Sequence, residues 1–446
     1  MDMRRFRAWL AVAAFVATTS AVAAADLTIW WTKGTNPQED EALKSVVALW
    51  EKQTGKTAEV SFYTTGDTES KVVTALKAGS PPDLTFDFGY DLAYTPTWAY
   101  EGLLADMSDV LEPISDQFQK GPLQSAYLLN GKTNKRAYYA VPWVQMTPHV
   151  HYWKDLLEKA GYTEADVPKQ WQPFFDFWCE KVQPALRAKG DRVYGVGQGA
   201  STSSNDPFFN IHLALNAFGA QVVNPDGQLQ IADPEVRKRV IAALDSYAKP
   251  ILAKCSPPDA VNWNGVDDNV SFLNKKNVVV MNPTLSIPLS LQAKSPDVYR
   301  NDIRTVPWPD GPDGKPTPAM ISVKQVLVFR DSPHIDNAKS FLKLLLQPEN
   351  IGPMLKATGG RWMPVMPKLI EDPFYTQTDD PHRAAMVRQF TQAQNVPYPQ
   401  AYNRLYAKVM QEQLWQKAIG RIVIDGWTTD KAVDELSERM KVLLGS

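Results

Sequence analysis

Aromatic residues stand directly beside polar or turn-forming residues at six places in this chain of 446 residues. The six stretches read WWTKG, FDFGY, VPWVQM, NDPFF, VNWNG and GGRWMP. Each is predicted at the end of a helix or strand or in a loop, where a ring can line the rim of a cleft. A flat ring there can stack on the apolar face of a sugar while neighbouring amides and carboxylates bind the hydroxyls. For any one of these aromatics, core packing or a structural turn is the better explanation, but together they indicate a carbohydrate-type site.

Residues for catalysis or metal binding form no comparable pattern. His149 and His151 face one side of a predicted strand, but no HExxH motif or cysteine pair accompanies them. The stretch GVGQGA lacks the G-x-G-x-x-G spacing of a dinucleotide site, and neither a GxSxG elbow nor a P-loop occurs. The sequence therefore predicts a protein that is not an enzyme and that needs no metal or cofactor.

The elements that must position these aromatics alternate between strands and helices. LTIWW and AEVSFY read as strands, and the amphipathic stretch QEDEALKSVVALWEKQTG between them reads as a helix. A second helix, TESKVVTALKAG, and a third strand, PDLTFDF, follow. This alternation predicts a mainly parallel sheet with helices on both faces. Trp30 and Trp31 end the first strand, and their side chains must point to opposite faces of the sheet.

The first 25 residues predict a cleaved signal peptide. Arg4, Arg5 and Arg7 precede an apolar stretch over residues 8–17, and small residues end at Ala25. No cysteine follows the cleavage site, so a lipid anchor is disfavoured, and no later run of apolar residues is long enough to span a membrane. The formal charge of −2 argues against nucleic acid and against a polybasic membrane role. These features predict a soluble exported protein.

The chain has two cysteines, Cys179 and Cys255. In an oxidising compartment an even pair can form one disulfide. Two buried free thiols fit equally well, because the sequence does not supply the Cα–Cα distance that decides between them.

The order of six pieces of the chain resembles the extracellular solute-binding proteins of ABC importers, in the carbohydrate-binding cluster that includes maltose- and glucose-binding proteins. The pieces are LTIWW…ALWEKQTG, ALKAGSPPDLTF, EGLLADMSDVL, YYAVPW…HYWKDLLEKAG, FLNKKNVVVMNP and PENIGPMLKATGGRWMPV. The resemblance implies an α/β, two-lobe periplasmic binding protein fold (type II-like), with a ligand cleft between lobes that are joined by crossing hinge strands. It implies crossings after YAVPW, near IRTVPW and after VLVF. Lobe one then comprises residues 26–143 and 304–335, and lobe two residues 144–303 and 336–446.

The resemblance also implies ligand-binding residues in lobe one and at the hinge. Trp31 would form a cleft wall while Trp30 packs the core, and Lys33 in the next turn would donate to hydroxyls. Asp87 follows the third strand at a position where the family places ligand contacts. Trp143 marks the hinge, and Gln145 follows it.

In lobe two the implied residues begin with Asp206 and Phe208, which resemble an acid-Pro-aromatic element of the maltose-binding branch. Trp263 occupies a ring-stacking position of the family. Asn282 and Thr284 stand where relatives have a longer stretch with a tryptophan, so stacking is not expected there.

The loop that holds Gly360, Arg361 and Trp362 resembles a glycine loop near the cleft. The arginine is less usual at this place and suits an anionic or a heavily hydroxylated ligand.

The function that this resemblance implies is that of a periplasmic carbohydrate-binding component of an ABC importer, a monomer whose partner is a membrane permease pair. One alternative within the binding class is a ligand that is an anionic sugar derivative, a polyamine or another small polar solute. A second alternative, from a different class, is a secreted carbohydrate-cleaving enzyme, since such an enzyme would also line a cleft with aromatics.

Overall fold

The computed structural model describes residues 25–64, 66–377, 379–392 and 394–445. The predicted signal peptide falls on residues 1–25, of which 1–24 lie outside the described residues. Within the described ranges, no helix has the length and apolar character needed to cross a membrane.

The larger of two main sheets contains the three strands that open the chain. Strand Leu27–Thr32 lies between Ala58–Tyr63 and Leu84–Phe86 and runs parallel to both. The sheet continues antiparallel through Ala319–Val328, Val141–Met146 and Met363–Pro364. A short strand, Asn395–Pro397, pairs parallel with Ala319–Val328.

Local sequence explains the first helix, Pro37–Thr54. The side chain of Asn36 accepts the Glu39 N–H at its start, and Gly55 ends it with a φ of 71°, a conformation that favours glycine. Its buried apolar residues recur at helical spacing and pack on the sheet: Leu43, Val46, Val47 and Trp50. The sequence-based prediction of this helix is confirmed.

The smaller sheet contains four strands in the order Ile303–Val306, His149–Trp153, Asn277–Asn282, Tyr194–Gly197. Only the last pair is parallel. Both sheets are therefore mixed, and the prediction of a mainly parallel sheet is wrong in this respect. The physical reason is that the strands that cross between the sheets enter each of them antiparallel to a neighbour, which local strand–helix alternation does not reveal.

Two extended segments connect the sheets, near the places that the resemblance implies. Val141–Met146 of the larger sheet leads after two residues into His149–Trp153 of the smaller one. Ile303–Val306 leads back to Ala319–Val328.

The chain after residue 335 stays at first with the larger sheet. Helices Ile335–Leu345 and Pro348–Ala357 pack on helix Pro37–Thr54, where Trp50 Nε1 donates to Ser340 Oγ at 3.0 Å. The lobe boundaries remain a prediction, but this packing favours an end of lobe one near residue 364 rather than at 335, because Met363–Pro364 also pairs into the larger sheet.

The α-helices are Pro37–Thr54, Asp67–Ala78, Tyr90–Ala93, Thr95–Tyr100, Ser108–Leu111, Lys120–Ala126, Lys154–Ala160, Trp171–Asp176, Gln183–Ala188, Asp206–Ala217, Pro234–Leu252, Asp267–Leu273, Ser286–Gln292, Ile335–Leu345, Pro348–Ala357, Pro367–Ile370, Pro373–Thr376, Pro381–Gln392, Ala407–Gln411, Leu414–Val423 and Thr429–Leu444. Shorter 3₁₀ or π turns are Glu112–Gln117, Glu164–Asp166, Phe177–Val182, Pro258–Asn262, Val298–Asp302, Pro399–Ala401 and Arg404–Tyr406. A separate hairpin pairs Tyr127–Asn130 with Lys135–Tyr138.

Of the two alternatives for the cysteines, the structure has the disulfide, which joins Cys179 to Cys255. The bridge ties the turn Phe177–Val182 to the segment beside strand Tyr194–Gly197. Gly195 is required there, because a Cβ at this position would lie 2.6 Å from Cys255 Sγ and 2.5 Å from the Trp178 carbonyl oxygen.

Candidate functional site

One pocket lies at the carboxyl ends of the parallel strands in the larger sheet, and we call it the indole pocket. Its lining residues are Trp31, Thr32, Gly34, Glu39, Asp40, Phe86, Phe88, Trp143, Met354, Thr358, Arg361 and Trp362. The enclosed space is about 10 Å³, room for roughly one water molecule.

Ring-to-ring contacts build the walls of the indole pocket. The ring centroids of Trp31 and Phe86 are 4.6 Å apart, and those of Trp31 and Trp143 are 5.4 Å apart. Phe88 contacts Trp362 at 5.3 Å. Strand register explains the first contact, since Trp31 lies opposite Phe86 on neighbouring strands.

Three hydrogen-bond donors in this pocket have no partner among the described residues: Trp143 Nε1, Trp362 Nε1 and Arg361 Nε. An indole N–H can only donate, and leaving a buried donor unsatisfied costs about 1–3 kcal/mol. The three side chains are at most 4% exposed. A ligand that placed an acceptor oxygen beside any of these donors would remove this cost.

The charge of Arg361 is already paired within the indole pocket. Arg361 Nη2 lies 2.6 Å from Glu39 Oε2, and the two side chains are 4% and 9% exposed. Burial lowers the pKa of Arg361, and the negative charge of Glu39 opposes that shift. Because a second carboxylate, that of Asp40, also lines the pocket, the geometry offers no unpaired positive charge for an anionic ligand.

Trp30 and Trp31 point to opposite faces of the sheet, which confirms the parity argument. The prediction that Trp30 is the ring that packs the core is corrected, however. Trp31 is only 5% exposed and packs in the main core as well as lining the pocket. Trp30 is half-buried and packs edge-on against Tyr63 at 5.6 Å. The reason is tertiary: loop residues 358–362 cover the face that Trp31 occupies.

A pair of acidic residues, Asp87 and Glu69, lies next to the indole pocket. Asp87 is 1% exposed and accepts hydrogen bonds from Thr32 Oγ1 at 2.7 Å and the Gly89 N–H at 2.9 Å. Burial raises the pKa of Asp87. Burial and the charge of Asp87 together raise the pKa of Glu69 to about 7, while Tyr94 donates to Glu69 at 2.7 Å.

Sequence reasoning missed Glu69. It follows the polar turn after strand Ala58–Tyr63, so the rule that turns after neighbouring parallel strands meet at one edge could have found it.

The two halves of the molecule approach each other near Glu69. A Cβ at Gly89 would lie 3.1 Å from Glu69 Oε2, 3.5 Å from Asp87 Oδ1 and 3.9 Å from Nδ2 of Asn205, which precedes helix Asp206–Ala217.

A second pocket lies at the carboxyl end of strand Tyr194–Gly197 in the smaller sheet, and we call it the carboxyl pocket. It is lined by Gly197, Gly199, Ser201, Ser204, Asp206, Pro207, Asn210, Trp263, Asn264, Asp268 and Met281. Its enclosed space is also about 10 Å³. The start of helix Asp206–Ala217 and the segment that leads into helix Asp267–Leu273 form its walls.

Two carboxyl groups determine the electrostatics of this pocket. Burial raises the pKa of Asp206 to about 7. A hydrogen bond from Ser204 Oγ at 3.3 Å acts in the opposite direction and lowers this pKa. Burial and the charge of Asp206 raise the pKa of Asp268. Asp268 Oδ2 accepts from Asn282 Nδ2 at 3.4 Å, whereas Asp268 Oδ1 and Asn210 Oδ1 have no partner within the described part of the chain.

The predicted ligand-binding residues divide into three groups. Trp31, Trp143, Arg361 and Trp362 line the indole pocket, and Asp206 and Trp263 line the carboxyl pocket. The remaining predicted residues lie outside both linings: Lys33, Asp87, Gln145, Phe208, Asn282, Thr284 and Gly360. The ligand-binding role of all of them stays a prediction.

Several residues of the third group have structural contacts instead. Phe208 is fully buried, with its ring 4.0 Å from that of His212. Gln145 Nε2 donates to the Pro364 carbonyl at 2.9 Å and so holds strand Met363–Pro364. Lys33 is exposed, with its backbone N–H bonded to the Tyr63 carbonyl.

The turn that follows strand Asn277–Asn282 is held by Asn282, whose Oδ1 accepts the Thr284 N–H at 3.0 Å. Gly360 has a φ of 88° and lies against Arg383, so that a Cβ there would approach Arg383 Cδ to 2.7 Å.

The two histidines that raised the question of a metal site are buried in the smaller sheet. His151 Nδ1 bonds Thr305 Oγ1 at 2.9 Å, and burial lowers the pKa of His149 to about 4. The described residues contain no cluster of His, Cys, Asp and Glu that could hold a metal ion.

Comparison with known proteins identifies related chains. The family model of bacterial extracellular solute-binding proteins matches residues 34–351. The diacetylchitobiose-binding protein DasA of Streptomyces coelicolor is 25% identical over 347 residues, which cover 75% of this chain and 72% of that protein. The alpha-glucosides-binding periplasmic protein AglE of Rhizobium meliloti is 28% identical over 184 residues, 38% of this chain and 35% of that protein.

Solved structures share the fold. An ABC transporter solute-binding protein from Thermotoga lettingae bound with alpha-D-tagatose has a TM-score of 0.76 at 22% identity, over 94% of this chain and 99% of that one. Maltose-bound MalE3 of T. maritima has a TM-score of 0.74 at 22% identity, over 94% of this chain and 100% of that one. These likenesses confirm the two-lobe α/β fold class.

Proposed function

Because the chain belongs to the family of bacterial extracellular solute-binding proteins, we propose that it binds a sugar or sugar-like polyol between its two lobes and delivers it to an ABC importer. The observation that carries this proposal is the combination of ring faces and unpartnered donors in the indole pocket. A sugar has apolar ring faces that stack on indoles and many oxygens that accept hydrogen bonds.

The relatives support the same ligand class. DasA is named for diacetylchitobiose and AglE for alpha-glucosides, and the two solved structures hold tagatose and maltose. The family consists of binding proteins, which argues against the alternative of a carbohydrate-cleaving enzyme. The Arg361–Glu39 ion pair argues against the alternative of an anionic ligand.

The proposal includes motion of the lobes. Each pocket has room for about one water molecule, so it can take a single group of a sugar, and the rest of the sugar would lie between the lobes, which must open to admit it. Ligand contacts to both lobes exist only in the closed form, and the ligand therefore shifts the equilibrium toward it. A permease pair that recognises the closed lobes would then receive loaded protein. This cycle fits a monomer in the periplasm.

Native mass spectrometry of the protein as purified, followed by calorimetric titration with a panel of mono- and disaccharides, tests the proposal. We expect stoichiometric binding of at least one sugar, which prolonged incubation leaves chemically unchanged. Conversion of that sugar to a smaller product would establish the enzyme alternative instead. Absence of binding across the panel, together with binding of a sugar phosphate or sugar acid, would overturn the proposal in favour of an anionic ligand.

A further inference from the structure

The two acids of the carboxyl pocket have no cation beside them among the described residues, in contrast to the buried acids Asp91 and Glu39. Asp91 is paired with Lys324 at 2.9 Å, and Glu39 is paired with Arg361. Among the described residues, no lysine, arginine or histidine nitrogen lies within ion-pair distance of Asp206 or Asp268, and none lines the pocket. Carboxyl groups in a protein interior are rarely left in this state, because an unpaired buried charge is costly.

Asn210 contributes a second observation, which does not depend on the two acids. Asn210 is 4% exposed and lines the same pocket, and its Oδ1 has no hydrogen-bond partner in the described ranges. Asp268, which is 6% exposed, contributes its own unpartnered Oδ1. The pocket therefore presents acceptor oxygens from three side chains, together with the ring of Trp263.

We propose that the carboxyl pocket binds the protonated amine of an amine-bearing sugar, with Asp206, Asp268 and Asn210 as its acceptors. An ammonium group has three N–H donors and no acceptor, so it can satisfy one oxygen from each of the three side chains. A sugar hydroxyl has a single donor and would leave two of the oxygens unpaired. The face of Trp263 is also a favourable neighbour for a cation. This inference rests on the proposed function and specifies its ligand class.

The titratable groups around the pocket are consistent with a cationic ligand. Burial raises the pKa of Asp206 to about 7 and raises that of Asp268 as well. The remaining titratable neighbours are engaged. Tyr247 donates to the Gly199 carbonyl at 2.8 Å, and Asp267 accepts the Asn264 N–H at 2.8 Å. A bound ammonium would favour the ionised carboxylates and release protons.

The test uses sugars that differ only in the group on carbon 2 of each ring. Cellobiose, chitobiose with free amines and diacetylchitobiose share one linkage and present a hydroxyl, an ammonium or an N-acetyl group at carbon 2, and glucose, glucosamine and N-acetylglucosamine form the matching monosaccharide series. We expect calorimetry on the full mature chain near neutral pH to give at least about tenfold tighter binding of the free amine than of the hydroxyl sugar in one series. Titration in buffers of different ionisation enthalpy should report proton release only with the amine.

Two variants assign the effect to the pocket. Asp206→Asn and Asp268→Asn should each reduce the preference for the amine over the hydroxyl sugar to less than about threefold, with thermal melting as the check that each variant is folded. Asp297→Asn changes an exposed acid outside both pockets and should keep the preference.

The outcomes separate the inference from the proposed function. Equal affinity for hydroxyl and amine sugars, or an amine preference that survives both pocket variants, would overturn the inference alone. Failure of every sugar to bind, while a linear polyamine binds, would overturn the proposed function and the inference with it.

Discussion

The indole pocket offers a ligand hydrogen-bond donors, whereas the carboxyl pocket offers it hydrogen-bond acceptors. The indole pocket presents the unpartnered donors Trp143 Nε1, Trp362 Nε1 and Arg361 Nε, and its one positive charge is paired with Glu39. The carboxyl pocket presents unpartnered oxygens on Asn210 and Asp268, and its acids have no cation beside them in the described part of the chain. Under the proposed function, a sugar held between the lobes would direct acceptors to one side and donors to the other. That polarity orients a ligand in a way that aromatic stacking alone does not.

The first prediction has the largest expected effect and concerns the ion pair between Arg361 and Glu39 in the indole pocket. Arg361→Met leaves Glu39 buried without its counter-charge and should lower the free energy of unfolding by about 3–5 kcal/mol. The matched control is the double variant Glu39→Gln/Arg361→Met, which removes both charges and should recover most of that loss. Chemical denaturation measures both. If the single variant is as stable as the parent, the pair is not desolvated as the structure has it.

The second prediction concerns the two rings at the end of the first strand. Trp31→Ala should lower the free energy of unfolding by about 3–5 kcal/mol, because the ring is almost fully buried between Phe86 and Trp143. Trp30→Ala should cost less, since Trp30 is half-buried. Chemical denaturation of both variants measures the two losses in the free energy of unfolding. A larger loss for Trp30→Ala would restore the assignment of Trp30 as the core ring.

The third prediction uses pH to probe the carboxyl pocket. The pKa of Asp206 rises from 3.8 to about 7 on folding, so the folded state holds this proton more tightly than the unfolded state. Its contribution to stability is complete below pH 3.8 and is lost as the pH rises toward about 7. Since Asp206 is half-buried, we expect a loss on the order of 1–3 kcal/mol over this window. The free energy of unfolding, measured at several pH values, should vary less with pH for Asp206→Asn than for the parent chain.

The smallest expected effect isolates the indole donors. Trp143→Phe or Trp362→Phe keeps an aromatic wall but removes one unpartnered N–H, and should weaken sugar binding by about 1 kcal/mol, or roughly fivefold. Each variant also loses part of a buried ring and leaves a small cavity, so thermal melting must show that it is folded before its affinity is compared. Trp178→Phe is a matched control, as its buried Nε1 also has no partner in the described chain and it lines neither pocket. Calorimetric titration should give parental affinity for this control; a loss equal to that of the pocket variants would show that the indole N–H groups do not contact the sugar.

Local sequence was sufficient for much of the fold. The cap at Asn36, the stop at Gly55 and the apolar spacing between them predict the first helix, since these interactions join residues close in sequence. The opposite facing of Trp30 and Trp31 follows from strand geometry alone. The ordered pieces of the chain also indicated the family and the two-lobe fold class. The parallel character of the sheets was wrongly predicted, because strand pairing across a hinge is set by residues far apart in sequence.

For the site, the residue types at element ends determined that aromatics and acids would line a cleft, and Trp31, Trp143, Asp206 and Trp263 do line the pockets. Only tertiary structure decided which groups lack partners. Arg361 and its counter-ion Glu39 are 322 residues apart, and Phe208 lies in the core although its motif resembles a ligand contact. Burial, and the pairing or isolation of a charge, depend on what the rest of the chain brings next to a residue. A sequence pattern specifies the chemical groups, whereas the packing of distant segments determines which of them remain free for a ligand.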